Sequence, residues 1–468
     1  VNSYKSRVVF SITIFVLLSF TTIAANDSAP SQDEAVSTTG DQMTADQPIA
    51  SSLKIGMAKV DMTLDPAKKT LHLTGYGGRR KKAATGVLDP VFARALVASD
   101  SEGHMLSIVG LDLCYVNSEI RDRVVEKLSA HGFDENNLLL AATHTHSSLG
   151  GYDRTFIAKT LFGDLDQDVL DHIVSSIVSA VLKAKENMVP ARIEIATENI
   201  KGMNRSRRDP AFEFSEKDED RAVKPNPEKY PVDERLTVFR IARVDGKPIG
   251  AVIHFTAHPT ILSPKNLSIS ADYPGVLYRR VEESMGEGAV AIFLNGTEGD
   301  TAPTPDWERD LNKEIANVKE YGNKLADEVL RVLPKVSPMP KTDIAYKTVY
   351  SELPGFIIRP LFHMHLSARM TRLFYLRSDA PFQAVRLGDI IMIALPGEPT
   401  TNVGRSLGSL CPTGYSCMIV APANGYLAYF VTPEQYKEGG YEANSNFLGP
   451  DVIDWLKSSV SQVLPGVQ

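Results

Sequence analysis

Two histidines one residue apart, in Thr143-His144-Thr145-His146, are the strongest chemical signal in this chain. They close an apolar run, Leu138-Leu139-Leu140-Ala141-Ala142, which reads as a buried strand bounded by polar turn residues. Side chains two apart on a strand share a face, so both imidazoles are expected to leave the strand end side by side. Beside a Ser/Gly-rich loop (Ser147 to Gly151), the pair suits a metal ligand with a proton-handling neighbour. The alternative is a loop pair that hydrogen-bonds its own backbone. Three more strand ends carry one polar, potentially ligating residue each: His258, Asp300 and Glu398. Four such ends brought together would build a site at one edge of a sheet, where α/β enzymes commonly place chemistry.

The elements that must position these residues alternate between short apolar strands and amphipathic helices. Strands are predicted at Leu53 to Val60, Val91 to Ser99, His104 to Cys114, Ala191 to Glu198, Val238 to Arg243, Ile249 to Thr256, Val290 to Leu294 and Met418 to Ala421, with two more within Phe382 to Ala394 on either side of Gly388-Asp389. Helices are predicted from Ser118, as a capping residue, to Ala130, from Gln167 to Asn187, from Asp272 to Met285, from Trp307 to Leu333, through Leu410, and from Asp451 to Val463. Leu170, Ile173, Val174, Ile177 and Val181 form a core stripe on the second helix, which makes His172 on it a structural residue. The fold class expected is α/β, a mixed β-sheet core flanked by helices. A glycine-dense turn at Thr74 to Gly78 would allow close backbone approach to a ligand, or serve as a plain turn.

The chain has 468 residues, 43% hydrophobic and 23% charged, so it can bury a large core. A formal charge of −7 argues against nucleic acid as a partner. The basic clusters at Arg79 to Lys82 and Arg205 to Arg208 are local exceptions, of the kind that usually forms a solvated face. Lys5 and Arg7 precede an apolar stretch, Val8 to Ala25, that ends in small residues. This describes a signal peptide over residues 1–25, with an uncleaved anchor as the rival, and it points to a secreted or periplasmic protein. Residues 26–52 read as a disordered linker, leaving 53–468 as the working domain. Export would permit Cys411 and Cys417 to close a short disulfide loop, while Cys114 reads as a small core residue.

Six motifs together resemble the catalytic domain of the neutral, non-lysosomal ceramidases, zinc amidohydrolases of N-acylsphingosines. They are Ala142 to Ser147, Asn204-Arg205-Ser206, His258-Pro259-Thr260, Gly299-Asp300, Pro396 to Thr401, and Asn424 to Tyr429 through Tyr441-Glu442. The resemblance runs from about Ile55 to Leu464 and implies a ceramidase-like fold. It implies Zn2+ held by His144, His258, Glu398 and Tyr429. His146 is then the proton donor or substrate partner, Arg205 and Tyr441 polarise the substrate amide, and Gly75 lines the same pocket. Asp300 and Thr301 fall in the family's Gly-Asp-x-Ser-Pro motif and are expected beside the substrate. The reaction implied is attack of zinc-activated water on the amide of an N-acyl lipid or a smaller N-acyl amide. Tyr429 by itself would read as packing, and only the motif promotes it.

Two departures bear on activity. The family's serine before the proline is Ala302 here, which favours a mechanism without that hydroxyl. With Gln468 last, the immunoglobulin-like domain that follows in the ceramidases this chain resembles is not expected here. Pro354 to Leu376, rich in large apolar residues with Arg359, Arg369 and Arg372, reads equally as core or as a lid for peripheral membrane contact. The rivals to an amidase are a hydrolase of the same fold acting on an ester or lactone, and an inactive binding protein that keeps the zinc scaffold.

Overall fold

The computed structural model describes residues 53–212, 225–304, 310–358, 364–366 and 377–468. The expected signal peptide and linker, the Trp307 helix start and most of the 354–376 stretch lie outside the described residues. The described part of that stretch pairs Phe356–Ile358 with Met364–Leu366, and Phe356 is buried in a stack on Phe447.

The main sheet is built from β1 (Lys54–Asp61), β2 (Phe92–Ser99), β3 (Met105–Leu111), β4 (Leu138–Ala142), β5 (Val189–Asn199), β6 (Arg235–Arg243), β7 (Pro248–Phe255) and β8 (Val290–Asn295). Their order is β8-β7-β6-β5-β1-β2-β3-β4, with a two-residue strand at Ser337–Pro338 added to β5. The outermost pairs at both ends, β7 with β8 and β3 with β4, are parallel, and the rest are antiparallel. Strands buried on both faces read as continuous apolar runs. β4 is such a strand, with all five residues buried.

The two ends of this sheet do not stay apart. Ile292 on β8 packs against Gly110 on β3 so closely that a Cβ on that glycine would lie 2.7 Å from the isoleucine Cγ2. Ile292 and Leu294 share one core with Leu96, Ile108 and Leu139. Folding the sheet over brings the end of β4, which leads to His144, against the ends of β7 and β8, which lead to His258 and Asp300.

A second sheet of β9 (Ile344–Glu352), β10 (Asp379–Leu387), β11 (Ile390–Ala394) and β12 (Ser416–Val420) supplies the remaining side. It is joined to β4 through the segment after β12. Ala142 donates to the Pro422 carbonyl, Asn424 donates to the Leu140 carbonyl, and the Asn424 side chain accepts from the Leu140 amide. Val385 and Met392 of this sheet enter the same core as Leu139.

Helices cover the outer faces. α1 (Ser118–Leu128) and α3 (Gln167–Glu186) bury their apolar stripes in one core, and α4 (Tyr273–Met285) and α5 (Leu311–Val332) bury theirs in another. The Ser118 helix is capped one residue earlier than predicted, by the Asn117 side chain accepting from Ile120. His172 does what its core position implies and meets the Met62 carbonyl at 3.1 Å. Cys114 is buried, and Cys411 and Cys417 form a disulfide. Among the described residues, no helix is long and apolar enough to cross a membrane.

Candidate metal centre

His144 is reached by a local backbone contortion. β4 stops at Ala142, and His144 takes a φ of 71°, in the left-handed region that side chains rarely adopt. The two histidines therefore meet through this kink and not through strand alternation, which corrects the expectation drawn from their spacing. Their Nε2 atoms lie 3.1 Å apart. Ala428, directly before Tyr429, takes a φ of 61°. Strained backbone of this kind concentrates at functional sites, where the surrounding structure holds it in place.

Nε2 of His144 lies 3.4 Å from Oε2 of Glu398, and Nε2 of His258 lies 3.3 Å from the same oxygen. Two donors about 2.0–2.1 Å from a tetrahedral zinc are separated by about 3.3–3.4 Å, so the spacing fits one shared ion. All three side chains are buried.

Each donor is locked from behind. Nδ1–H of His144 donates to the Cys114 carbonyl at 2.6 Å, and Nδ1–H of His258 donates to the Glu298 carbonyl at 2.7 Å. Those bonds fix both tautomers so that the Nε2 lone pairs face the vertex. Tyr426 donates its hydroxyl to Oε1 of Glu398, leaving Oε2 for the vertex. His258 Nε2 and Glu398 Oε2 are buried without a hydrogen-bond partner, a costly state that a cation would relieve. Cys114, His144 and His146 form a second buried triad, with Sγ of Cys114 3.8 Å from the His144 Nδ1 that meets the Cys114 carbonyl.

Charge follows the same geometry. Burial disfavours the carboxylate of Glu398, yet its charge and hydrogen-bond interactions with His144 and His258 together outweigh burial and hold the group well below the usual range. His144 is raised in return, against burial, by Glu398 and Cys114 together. Burial and then Arg207 push His258 down to about 4, and burial with the other two imidazoles depresses His146. A carboxylate kept ionised in a buried cluster of imidazoles is a seat for a cation.

Tyr429 joins this group through a two-residue parallel ladder in which Glu398 pairs with Tyr429. Its hydroxyl oxygen accepts from Arg207 at 3.0 Å. His146 packs edge-on against Tyr76 at 4.6 Å, and Gly75 sits flush on it. A Cβ on Gly75 would lie 2.4 Å from the His146 ring, and its φ of 97° suits glycine alone. Arg79, expected on a solvated face, is instead buried. It donates to the carbonyls of Thr74, Asn266 and His146, and so ties the glycine turn to the histidines.

The remaining expected residues occupy different places. Tyr441 is 62% exposed, with its ring edge-on to Tyr429 at 5.4 Å. Arg205 stands opposite Ala302 in an antiparallel ladder. Asp300 is buried and accepts from the Thr401 amide and hydroxyl and from Gln435. The Thr301 carbonyl accepts from the His258 amide. These last two therefore hold the walls of the vertex and do not face it.

Sequence reasoning missed Tyr426, Arg207 and Asn295. The first lies inside the Asn424 motif and the second inside the Arg205–Arg208 cluster, so both were within reach of a residue-by-residue reading. Asn295 ends a strand and carries no such mark.

Residues 53–319 match the family described as neutral/alkaline non-lysosomal ceramidase, N-terminal. This chain belongs to that family. Ceramidases hydrolyse the amide bond of ceramides, so the chain falls among amide hydrolases acting on lipid. It is 28% identical to neutral ceramidase B of Dictyostelium discoideum, over 97% of this chain and 76% of that protein. It is 25% identical to the neutral ceramidase of Mycobacterium tuberculosis, over 88% and 76%. The crystal structure of neutral ceramidase from Pseudomonas aeruginosa superposes with a TM-score of 0.74 at 19% identity, covering 88% of this chain and 74% of that one. A structure titled as ceramidase complexed with C2 gives 0.76 at 19%, covering 88% and 75%. The α/β ceramidase fold, with its mixed sheet core and flanking helices, is thus the fold of this chain.

Proposed function

We propose that this chain is an exported, zinc-dependent amidohydrolase that cleaves an N-acyl lipid of the ceramide type or a smaller N-acyl amide. The observation that carries the zinc reading is the vertex at Glu398 Oε2, met by two imidazole nitrogens at 3.3 and 3.4 Å with their ring backs already bonded. Two histidines and a carboxylate are a common donor set for a catalytic zinc, and Tyr429 adds an oxygen beside them. Zinc held there supplies Lewis acidity and a water acidic enough to be a nucleophile near neutral pH.

The chain's own residues then divide the work. His144, His258, Glu398 and Tyr429 hold the ion. His146, with its Nε2 3.1 Å from that of His144, stands beside the vertex and is assigned the proton transfer to the departing amine. Tyr441 and Arg205 reach the substrate carbonyl from the mouth and stabilise the charge that develops on its oxygen. Gly75 keeps the wall thin where the acyl or base portion must pass. Asp300 and Thr301 serve binding from behind, by fixing the loops of Thr401 and His258.

Two further parts of this reading have their own support. The Cys411–Cys417 disulfide suits an oxidising compartment, as does the targeting segment in the sequence. Peripheral contact with a lipid surface is supported by α2 (Phe156–Phe162), whose Leu161 packs on Gly77 in the turn beside Tyr76. This helix exposes Phe156 and Lys159, and the adjoining turn exposes Arg80 and Lys82. An apolar ring among cations matches the interface of an anionic bilayer, and no such match is offered to nucleic acid by a chain of net charge −7.

The test is turnover of a short-chain ceramide, a simple N-acyl amide and a matched ester by purified protein, with and without a chelator. Amide cleavage lost on chelation and restored by zinc is expected. Chelator-insensitive turnover contradicts the metal role, and cleavage of the ester alone favours an esterase or lactonase. Zinc binding without any turnover favours a binding protein, the reading that Ala302 would then explain.

A further inference from the structure

We infer that Arg207 is a positioning residue that fixes the oxygen of Tyr429 at the vertex and ties it to the same frame as His258. The inference rests on the zinc reading of His144, His258, Glu398 and Tyr429.

Arg207 makes directed contacts to Tyr429, to Glu442 and to the turn that carries Asp300. Its Nη2 donates to the Tyr429 hydroxyl oxygen at 3.0 Å and to the Gly299 carbonyl at 2.6 Å. Its Nε donates to Oε1 of Glu442 at 2.8 Å, and its backbone amide donates to the Asp300 carbonyl at 2.8 Å. Main chain and side chain are thus both pinned to the turn at 298–300. The same turn holds Nδ1 of His258 through the Glu298 carbonyl. Tyr429 and His258 are therefore referenced to one short piece of backbone, although they lie far apart in sequence.

The chemistry of a guanidinium makes this a constraint and not a contact. Arginine donates only, so at Tyr429 it must occupy a lone pair of the phenol oxygen. The same oxygen is within hydrogen-bonding reach of Glu398, its partner in the parallel ladder. The fork cannot swing away, because Glu442 is gripped on its other oxygen by Arg208 at 2.8 Å. The guanidinium also lies 5.4 Å from the rings of both Tyr429 and Tyr441, filling the corner between them. Lysine would bring the charge without the planar fork and could satisfy only part of this set.

The test is a double-mutant cycle on the full chain with R207M, R207K, Y429F and the combined variants. Zinc affinity is read by competition with a chromophoric chelator. The optical spectrum of the cobalt-substituted protein reads the ligand set itself. R207M is expected to weaken zinc about 10-fold to 100-fold, the range typical of residues that orient a metal ligand. It should move the cobalt spectrum toward that of Y429F, with R207K between the two. In the Y429F background, R207M should add little further loss. Wild-type affinity and spectrum in R207M overturn the inference, as does an equal loss with and without Tyr429, which marks a merely structural role. If R207M does not fold, the R207K and Y429F pair carries the same cycle. A wild-type protein that binds no zinc at this cluster overturns the zinc reading and this inference with it. Bound zinc with a silent Arg207 overturns the inference alone.

Discussion

Asn295 donates its side-chain amide to the Thr143 carbonyl at 3.2 Å, one residue before His144. The same nitrogen donates to the Ala257 carbonyl at 3.0 Å, one residue before His258, and the side-chain oxygen accepts from the Ala257 amide. One buried amide at the end of β8 thus spans the two histidine-bearing loops from opposite ends of the main sheet. N295A should leave the Thr143 carbonyl and the Ala257 amide buried without this partner, while the Ala257 carbonyl keeps the Tyr273 hydroxyl, at about 1–3 kcal/mol for an unsatisfied group. The specific expectation is a loss of zinc affinity larger than in V329A, a core variant between α5 and its sheet chosen for similar urea stability. Equal zinc affinity in the two variants would show that Asn295 matters to the fold alone.

The histidine pair separates by role. H144A, H258A and E398A each remove a donor from the vertex and are expected to purify with little zinc. H146A keeps all of them and should retain zinc while losing turnover, by the 10²- to 10⁴-fold typical of proton transfer from a placed group. Elemental analysis of the four proteins, beside rate measurements, checks this. Full zinc in H144A together with depleted zinc in H146A would reverse the assignment within the pair.

Much of this arrangement was legible in the chain because apolar runs mark strands and polar residues just past them mark a sheet edge. β4, β7, β8 and β11 were read within a residue or two of their ends, and so were the residues that follow them. What was not legible came from tertiary geometry. The kink at His144 is a left-handed residue that no local pattern announces, and strand alternation gave the right pairing for the wrong reason. Arg79 looked like part of a solvated run because a basic cluster says nothing about which member finds three buried carbonyls. Asp300 looked like a fourth inward-facing strand end, yet its carboxylate is consumed by Thr401 and Gln435. A sequence shows that a polar residue ends a strand, but not which way the following turn rotates it.

Asp112 gives the fold a pH dependence of definite sign. It is buried, accepts from the Phe92 amide and the Tyr278 hydroxyl, and burial pushes its carboxyl up to about 7. In the unfolded chain the group titrates near 3.9. Between those values the folded protein keeps a proton that the unfolded chain has released, so stability falls as pH rises through the window and levels off above it. D112N cannot ionise. Its urea midpoint should decline less between about pH 4.5 and 7, and it should gain on wild type near pH 8. Asp272, also pushed up to about 7 by burial, keeps part of the slope in place. Parallel midpoint curves for the two proteins would remove Asp112 from this account.

The surface beside the candidate centre carries the last expectation. Phe156 is 66% exposed at the first position of α2, where the Thr155 side chain caps the helix. A large aromatic left in water costs the protein contact it could have made; Lys159 is exposed one turn further along the helix, and Arg80 and Lys82 are exposed in the turn on which Leu161 of the same helix packs. Inserting one such ring into an interface is worth roughly 1.5–3 kcal/mol, and each nearby cation adds about 1 kcal/mol on an anionic surface. F156A should therefore bind phosphatidylglycerol vesicles on the order of 10-fold more weakly in co-sedimentation. K159E should lose binding to those vesicles but change little on phosphatidylcholine, and high salt should mimic it. Both variants lie outside the vertex and should keep their zinc, which separates weaker surface contact from a damaged centre. Unchanged binding of both variants to anionic vesicles would remove this face as the contact and leave the substrate to reach His146 and Tyr441 from solution.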